Sequence, residues 1–278
     1  MSAQTKPFFF VSSGRSGTKM MERLFSSYEQ VEMHHEYMVH LVQPAATKYY
    51  LGLLDREHAR ALVAATYGAA IHYSAHAFWG DSSNKLTWLI DILAEEFPSA
   101  KFIYLTRDGR KVASSYFNKL GDECFDDRSA AALARYIDEF PSALAPPPEK
   151  KYWWPQPRTG TLERPLFLAR SQFERIAWHW AETHRHAQTE LQKLPQERWT
   201  QVKLEELVSS RDVAARVLEF IGLPAKSDTL ALLERPHNVN RPENFQLTPQ
   251  QNAQFWAIAG LAMRQLGIDE NAEYAVNY

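Results

Sequence analysis

The sequence predicts an α/β fold on a mainly parallel sheet, and three observations carry that prediction. Short β-like apolar runs alternate with longer stretches of helical spacing along the 278 residues, the order expected of βα units. Two runs, Phe8 to Ser12 and Lys101 to Thr106, are apolar without alternation, as strands buried on both faces are. Each leads through a short glycine-containing turn into a helical pattern. No repeat at a period of about 20 to 50 residues interrupts this order.

Taken in chain order, Phe8 to Ser12 follows Pro7, and Met20, Met21, Leu24, Phe25 and Tyr28 then recur at helical spacing. Ala70 to Ser74 reads as a short strand, and Thr87 to Phe97 as an amphipathic helix stopped by Pro98. After the second buried strand, Val112, Tyr116 and Leu120 share one side of a helix. A long helix lies within Leu166 to Leu194, with Phe173, Ile176, Ala177 and Trp180 as its apolar stripe. Thr200 to Leu204 reads as a strand, and Asp212 to Ile221 as a helix stopped by Gly222 and Pro224. The last helix starts at Thr248-Pro249, an N-cap followed by proline at the first helical position, and runs to about Leu266. Between Pro141 and Pro165 seven prolines surround Tyr152-Trp153-Trp154. Proline removes amide donors and breaks helices, so 141–165 is an extended insertion, and its aromatics suit a substrate-side loop. The whole of 1–278 is expected to form one domain.

Composition narrows the function classes. Apolar residues make up 45% and charged residues 23%, which excludes a disordered chain, a collagen and a coiled coil. The 31 Lys and Arg against 33 Asp and Glu give a net charge of −2, so no global basic surface argues for nucleic acid. Cys124 is the one cysteine, which excludes an internal disulfide and a cysteine-rich metal site. No run of about 18 apolar residues spans a membrane. The polar start before Phe8 lacks the apolar core of a signal peptide, so a cytoplasmic protein is expected.

Two loops bear chemistry. Ser12-Ser13-Gly14-Arg15-Ser16-Gly17-Thr18 lies between a buried strand and a helix. Its glycines let the backbone turn tightly and face its amides inward, and the helix N-terminus adds partial positive charge. Arg15 supplies a guanidinium, and Ser16 and Thr18 supply hydroxyls. The result is an anion cradle, though a serine-rich turn that merely caps a helix competes with that reading. It is not a Walker A loop, which requires a lysine that is missing here. Thr106-Arg107-Asp108-Gly109-Arg110 ends the second buried strand, with Ser115 one to two turns into the next helix. An arginine and a hydroxyl converging on one spot suit a phosphate monoester; a surface Arg107–Asp108 pair is the plainer alternative. Both loops lie at carboxyl ends of strands, where open α/β sheets bind ligands, so they can share one crevice.

Together these segments resemble the two signature stretches of sulfotransferases that use 3′-phosphoadenosine 5′-phosphosulfate (PAPS). FFFVSSGRSGT resembles the 5′-phosphosulfate loop, and FIYLTRDGRKVASSY the 3′-phosphate segment, with Arg107 and Ser115 at the family spacing. VKLEELVSSRDVAARVLEFIGLP resembles a further family stretch, and LTPQQNAQFWAIAGLAMRQLGI the C-terminal helices of bacterial and tyrosylprotein-type members. The resemblance implies a P-loop-like three-layer fold, with PAPS as co-substrate, 3′,5′-adenosine bisphosphate (PAP) as product, and no metal. It implies that Ser13, Gly14, Arg15, Ser16, Gly17 and Thr18 hold the 5′-phosphosulfate, and that Arg107 and Ser115 hold the 3′-phosphate. Arg235, His237, Asn240 and Arg241 precede the last helix and could close over the nucleotide, Arg241 among them as a donor ligand.

The acceptor hydroxyl needs a base. Val31 to Tyr37 follows the first helix, where the resemblance places a catalytic glutamate, and Glu36 takes that position. A carboxylate there works as a base if burial raises its pKa toward neutrality; His34 and His35 are the alternatives. Neighbouring side chains point apart, so His34, His35 and Glu36 do not form a metal site. His72 and His76, on one strand face, would stand roughly 13 Å apart. The family lysine near the sulfuryl group is displaced, since the segment reads Gly80-Asp81-Ser82-Ser83-Asn84-Lys85. Either Lys85 reaches in, or Ser82 and Ser83 replace it as neutral donors. Leu204 stands where a tyrosine would flank adenine. Trp153 and Trp154 either stack on the acceptor or pack the insertion onto the body. The leading expectation is transfer of a sulfuryl group to a carbohydrate, lipid, phenol or tyrosine hydroxyl. A P-loop kinase using ATP and Mg²⁺ and a non-catalytic nucleotide-binding module are the alternatives.

Overall fold

The computed structural model describes residues 4–233 and 246–273. Its centre is a five-stranded parallel sheet in the order β2-β3-β1-β4-β5. The strands are β1 (Lys6–Val11), β2 (Val31–His35), β3 (Phe78–Ser82), β4 (Lys101–Thr106) and β5 (Trp199–Lys203). The helices before the fourth strand are α1 (Thr18–Phe25), α2 (Val39–Leu51), α3 (Arg56–Val63), α4 (Ala69–Tyr73) and α5 (Ile90–Glu96). After it come α6 (Gly109–Lys119), α7 (Asp127–Asp138), α8 (Glu163–Ala169), α9 (Gln172–Leu191), α10 (Leu204–Ser209), α11 (Arg211–Ile221), α12 (Ser227–Ala231) and α13 (Pro249–Gln265).

The uninterrupted apolar runs follow from the position of β1 and β4 inside the sheet. The pleat sends Phe9 and Val11 of β1 and Phe102 and Tyr104 of β4 to one face, among residues of α2, α3, α5 and α9. Phe8 and Phe10, with Ile103 and Leu105, go to the other, among residues of α1 and α11. Both faces are covered by helices, so neither strand can alternate polar and apolar residues. A third cluster joins α6, α9 and α13 around Val112, Trp180 and Phe255. Ser171 and Thr248 each close a capping box, which fixes where α9 and α13 begin.

Several expectations need correction. Ala70–Ser74 is not a strand: Ala69–Tyr73 is helical and continues from α3 through a π turn over Ala64–Gly68. Ile71 and Tyr73 gave it a strand-like composition, yet Ile71 alone of the five is buried. His72 and His76 therefore share no strand face. Thr87–Phe97 is a 3₁₀ turn, Leu86–Leu89, running into α5. The long helix expected within Leu166–Leu194 is present as α9, and the short α8 precedes it across Arg170 and Ser171. The insertion itself holds one 3₁₀ turn at Lys150–Tyr152 and the start of α8.

Candidate active site

All five strands point the same way, so the ends of β1, β2, β3 and β4 bring their following loops to one edge of the sheet. The loop after β1 winds through left-handed backbone at Gly14 (φ 81°), Arg15 (φ 53°) and Gly17 (φ 86°). At Gly14 a Cβ would stand 1.9 Å from Tyr116 Oη, and at Gly17 it would stand 2.7 Å from Leu204 Cδ1. Glycine is required at both on conformation and on space. The loop's hydroxyls are tied inward: Gly14 N–H donates to Ser12 Oγ at 3.0 Å, and Ser16 Oγ donates to the Gly14 carbonyl at 3.0 Å. Ser13 Oγ lies 3.4 Å from Ser16 Oγ. Thr87 fastens the start of the loop, accepting from Ser12 N–H at 3.1 Å and donating to its carbonyl at 3.0 Å.

The second loop docks onto the first. Arg15 Nε donates to Ser115 Oγ at 2.9 Å, and Arg107 Nη1 donates to the Arg15 carbonyl at 2.8 Å. Asp108 is not the partner of Arg107: it caps α6 and pairs with Arg110 at 2.8 Å. Lys119, one turn beyond Ser115, adds a cation that sequence reasoning missed. Burial, then the like charges of Arg15 and Arg107, push its ammonium down. Three cations and buried hydroxyls gather at this edge, with Glu205 Oε1 3.9 Å from Arg107 Nε, a set of donors whose chemistry suits an anion.

Glu36 sits at the end of β2 in left-handed backbone, φ 56°. Its carboxylate pairs with Lys85 Nζ at 3.5 Å and accepts a short hydrogen bond from Lys150 of the insertion. Burial pushes this carboxyl up, but the Lys85 and Lys150 ammoniums outweigh it and hold the pKa at about 2. The condition that burial raise this carboxyl toward neutrality is therefore not met, because two cations, one of them 114 residues away in sequence, face the group. Lys85 is 5% exposed; burial pushes its ammonium down and Glu36 pulls it back. Of the two substitutes considered for the family lysine, Lys85 is the one that reaches Glu36. Ser82 Oγ instead donates to the Thr18 carbonyl at 2.8 Å, and Ser83 Oγ accepts from Lys85 N–H at 3.2 Å.

A chain of hydrogen bonds links Glu36 to the first loop. Lys85 Nζ donates to Asn84 Oδ1 at 2.7 Å, Asn84 Nδ2 to Tyr116 Oη at 3.2 Å, and Tyr116 Oη to the Ser13 carbonyl at 2.9 Å. Asn84 and Tyr116 had no motif to announce them. Tyr116 follows Ser115 on α6, and only the fold turns it toward the loop.

The remaining sequence candidates separate. His35 Nδ1–H donates to the Ser82 carbonyl at 2.8 Å, close to Glu36. His34 points to the other face of β2, bonded to Glu32 at 3.1 Å and packed on Trp79 and Tyr37. Trp153 and Trp154 are 2% and 7% exposed, and their indole N–H groups donate to Pro147 O and Glu123 O. Trp154 still touches the site, for Lys85 Nζ lies 4.7 Å above its ring. Both line a cavity of about 10 Å³ with Lys85 and His179, room for one water molecule. Burial first, then Lys85, drives His179 down to about 3, so it is neutral. Arg235, His237, Asn240 and Arg241 lie outside the described residues.

Asp81 is wholly buried behind Glu36 and is pushed up to about 7 by burial, against donation from Tyr37 N–H and Tyr67 Oη. Its folded pKa exceeds the unfolded value of about 4, so between pH 4 and 7 the folded state holds a proton that the unfolded state has lost. Stability therefore falls as pH rises through that window and levels off above about 7, by roughly 2–4 kcal/mol. Urea denaturation at pH 5 and pH 8 is expected to show this fall, and Asp81→Asn to flatten it.

A parallel α/β sheet with a glycine-bearing loop between its central strand and the next helix is a P-loop-like fold. Residues 7–145 match the model of the sulfotransferase family, and the chain belongs to that family. Among solved structures it is similar to a sulfotransferase from Alicyclobacillus acidocaldarius, with 14% identity, a TM-score of 0.53 and 97% of each chain covered. It is also similar to a sulfotransferase from Mycobacterium avium, with 14% identity, a TM-score of 0.53, and 96% of this chain and 78% of that one covered. No curated protein matches the chain in sequence. Among the described residues no helix is long and apolar enough to cross a membrane.

Proposed function

We propose that the chain transfers the sulfuryl group of PAPS to an acceptor hydroxyl, with Glu36 receiving the hydroxyl proton. The observation that supports this most is the docking of the two anion loops, Arg15 onto Ser115 and Arg107 onto the Arg15 carbonyl. A donor bearing phosphates at both ends needs two such loops in one crevice; ATP has no 3′-phosphate for Arg107 and Ser115. In this reading Ser13 to Thr18 hold the 5′-phosphosulfate and Arg107 with Ser115 the 3′-phosphate.

The acceptor oxygen forms the new S–O bond, the bond to the 5′-phosphate breaks, and the proton passes to the Glu36 carboxylate. Charge builds on the departing phosphate, where fixed cations and backbone amides lower the barrier most. Lys85 serves both sides: the donor's negative charge competes with Glu36 for it and so weakens one of the two ammoniums that hold the carboxyl down, Lys150 being the other. The acceptor is a hydroxyl compound of carbohydrate, lipid, phenolic or peptide type, as the family serves all of these by varying its loops.

Thermal unfolding tests the donor assignment. PAP at about a hundredfold over its Kd is expected to raise the Tm by roughly 4–5 °C, and ATP with Mg²⁺ by much less. Equal stabilisation by ATP overturns the PAPS reading and favours a kinase. PAP binding without turnover of labelled PAPS across a hydroxyl library favours a non-catalytic module.

A further inference from the structure

The turn that presents Glu36 is strained on both sides. Glu36 has φ 56° and Met38 φ 45°, left-handed conformations that residues with a Cβ hold only where their surroundings impose them. Tyr37 lies between them, and its peptide groups are gripped from inside the core. Its N–H donates to Asp81 Oδ1 at 3.3 Å, and its carbonyl accepts from Tyr67 Oη at 3.4 Å. The same Tyr67 hydroxyl shares its one proton between that carbonyl and Asp81 Oδ2, the nearer acceptor at 3.0 Å. Asp81 and Tyr67 are both fully buried. Tyr67 stands in the π turn, an irregularity that recurs at functional sites. A carboxyl in a sheet core is costly, and sheet pairing does not call for one, since β3 pairs through its backbone.

We infer that Asp81 and Tyr67 are positioning residues for Glu36: they fasten the Tyr37 peptide groups and so aim the Glu36 carboxylate at Lys85 and Lys150. Neither touches the reacting atoms. The inference rests on the reading of Glu36 as proton acceptor and adds the two buried side chains that set its direction.

The test pairs an activity readout with one that needs no turnover. Tyr67→Phe removes one oxygen and leaves the ring in place. Its kcat is expected to fall about 10- to 100-fold, the size of effect that a small misplacement of a reacting group produces, while the Kd for PAP stays unchanged. In the same variant, ¹³C-NMR titration of the Glu36 carboxyl, assigned by its loss in Glu36→Gln, is expected to move up from about 2 toward the ordinary range near 4. Asp81→Asn keeps an oxygen for the Tyr37 N–H and is expected to recover part of the kcat lost in Asp81→Leu. Tyr67→Phe with wild-type kcat and unmoved Glu36 titration overturns the inference, as does a loss of PAP affinity in step with kcat. If Glu36→Gln is fully active, the base reading fails, and the titration alone then decides whether Asp81 and Tyr67 aim the carboxylate.

Discussion

Glu36→Gln is expected to bind PAP as the wild type does and to lose transfer by about 10²- to 10⁴-fold, the usual contribution of a general base. The side chain keeps its shape, but Lys85 and Lys150 meet different oxygens of Glu36, and glutamine offers one acceptor oxygen, so one of the two ammoniums loses its acceptor; what disappears from the chemistry is the place for the proton. Stability is expected to fall as well, because Lys85 is left buried without its counter-charge. The Tm shift on adding PAP must therefore be read against the variant's own Tm. Retained turnover moves the base elsewhere, and His35, bonded to the Ser82 carbonyl beside Glu36, is then the next residue to replace.

Gly14→Ala is the second large effect. A methyl group at this position meets Tyr116 Oη at 1.9 Å and Asn84 Nδ2 at 2.8 Å, on backbone with φ 81°. The loop must move or Tyr116 must leave, and Tyr116 holds the Ser13 carbonyl. PAP-induced stabilisation is expected to vanish, with transfer reduced more than about 100-fold, since loop geometry fixes both the cradle and the orientation of Arg15. Adding Tyr116→Phe removes the nearest clashing atom, so the double variant is expected to regain part of the Tm shift. A single Gly14→Ala variant with a full PAP shift would show that the loop's conformation is unimportant for binding.

How far the sequence could be read follows from what each strand has to do. β1 and β4 are covered on both faces and carry unbroken apolar runs, so they were legible, and their loops with them. β2 and β3 were not. Val31–His35 and Phe78–Ser82 end in His35, Asp81 and Ser82, whose side chains serve the site or the turn behind it. The chemistry of the site thus erases the hydrophobic pattern that would announce the strands. Glu36 was singled out by the family resemblance, but its charge environment was not legible. Lys150 reaches it from the insertion and Tyr67 acts on its neighbour through a π turn, and local spacing reports neither. Lys85 was one of two options on sequence, and only the turn after β3 distinguishes it from Ser82.

The insertion over 141–165 is fastened to the body by side chains of α2. Gln43 Nε2 donates to the Lys150 and Trp153 carbonyls, each at 2.9 Å, and Thr47 Oγ1 donates to Trp153 O at 2.8 Å. Both side chains lie buried on α2. A wall fastened in this way is inherited as a pair. Exchanging the insertion with that of a relative, while keeping this α2, would strand carbonyls in the interior or bring donors against the wrong atoms. It would also replace Lys150 and so release one of the two cations on Glu36. Packing against α2 and the charge facing Glu36 thus depend on the same twenty-five residues, and a graft that changes the first resets the second.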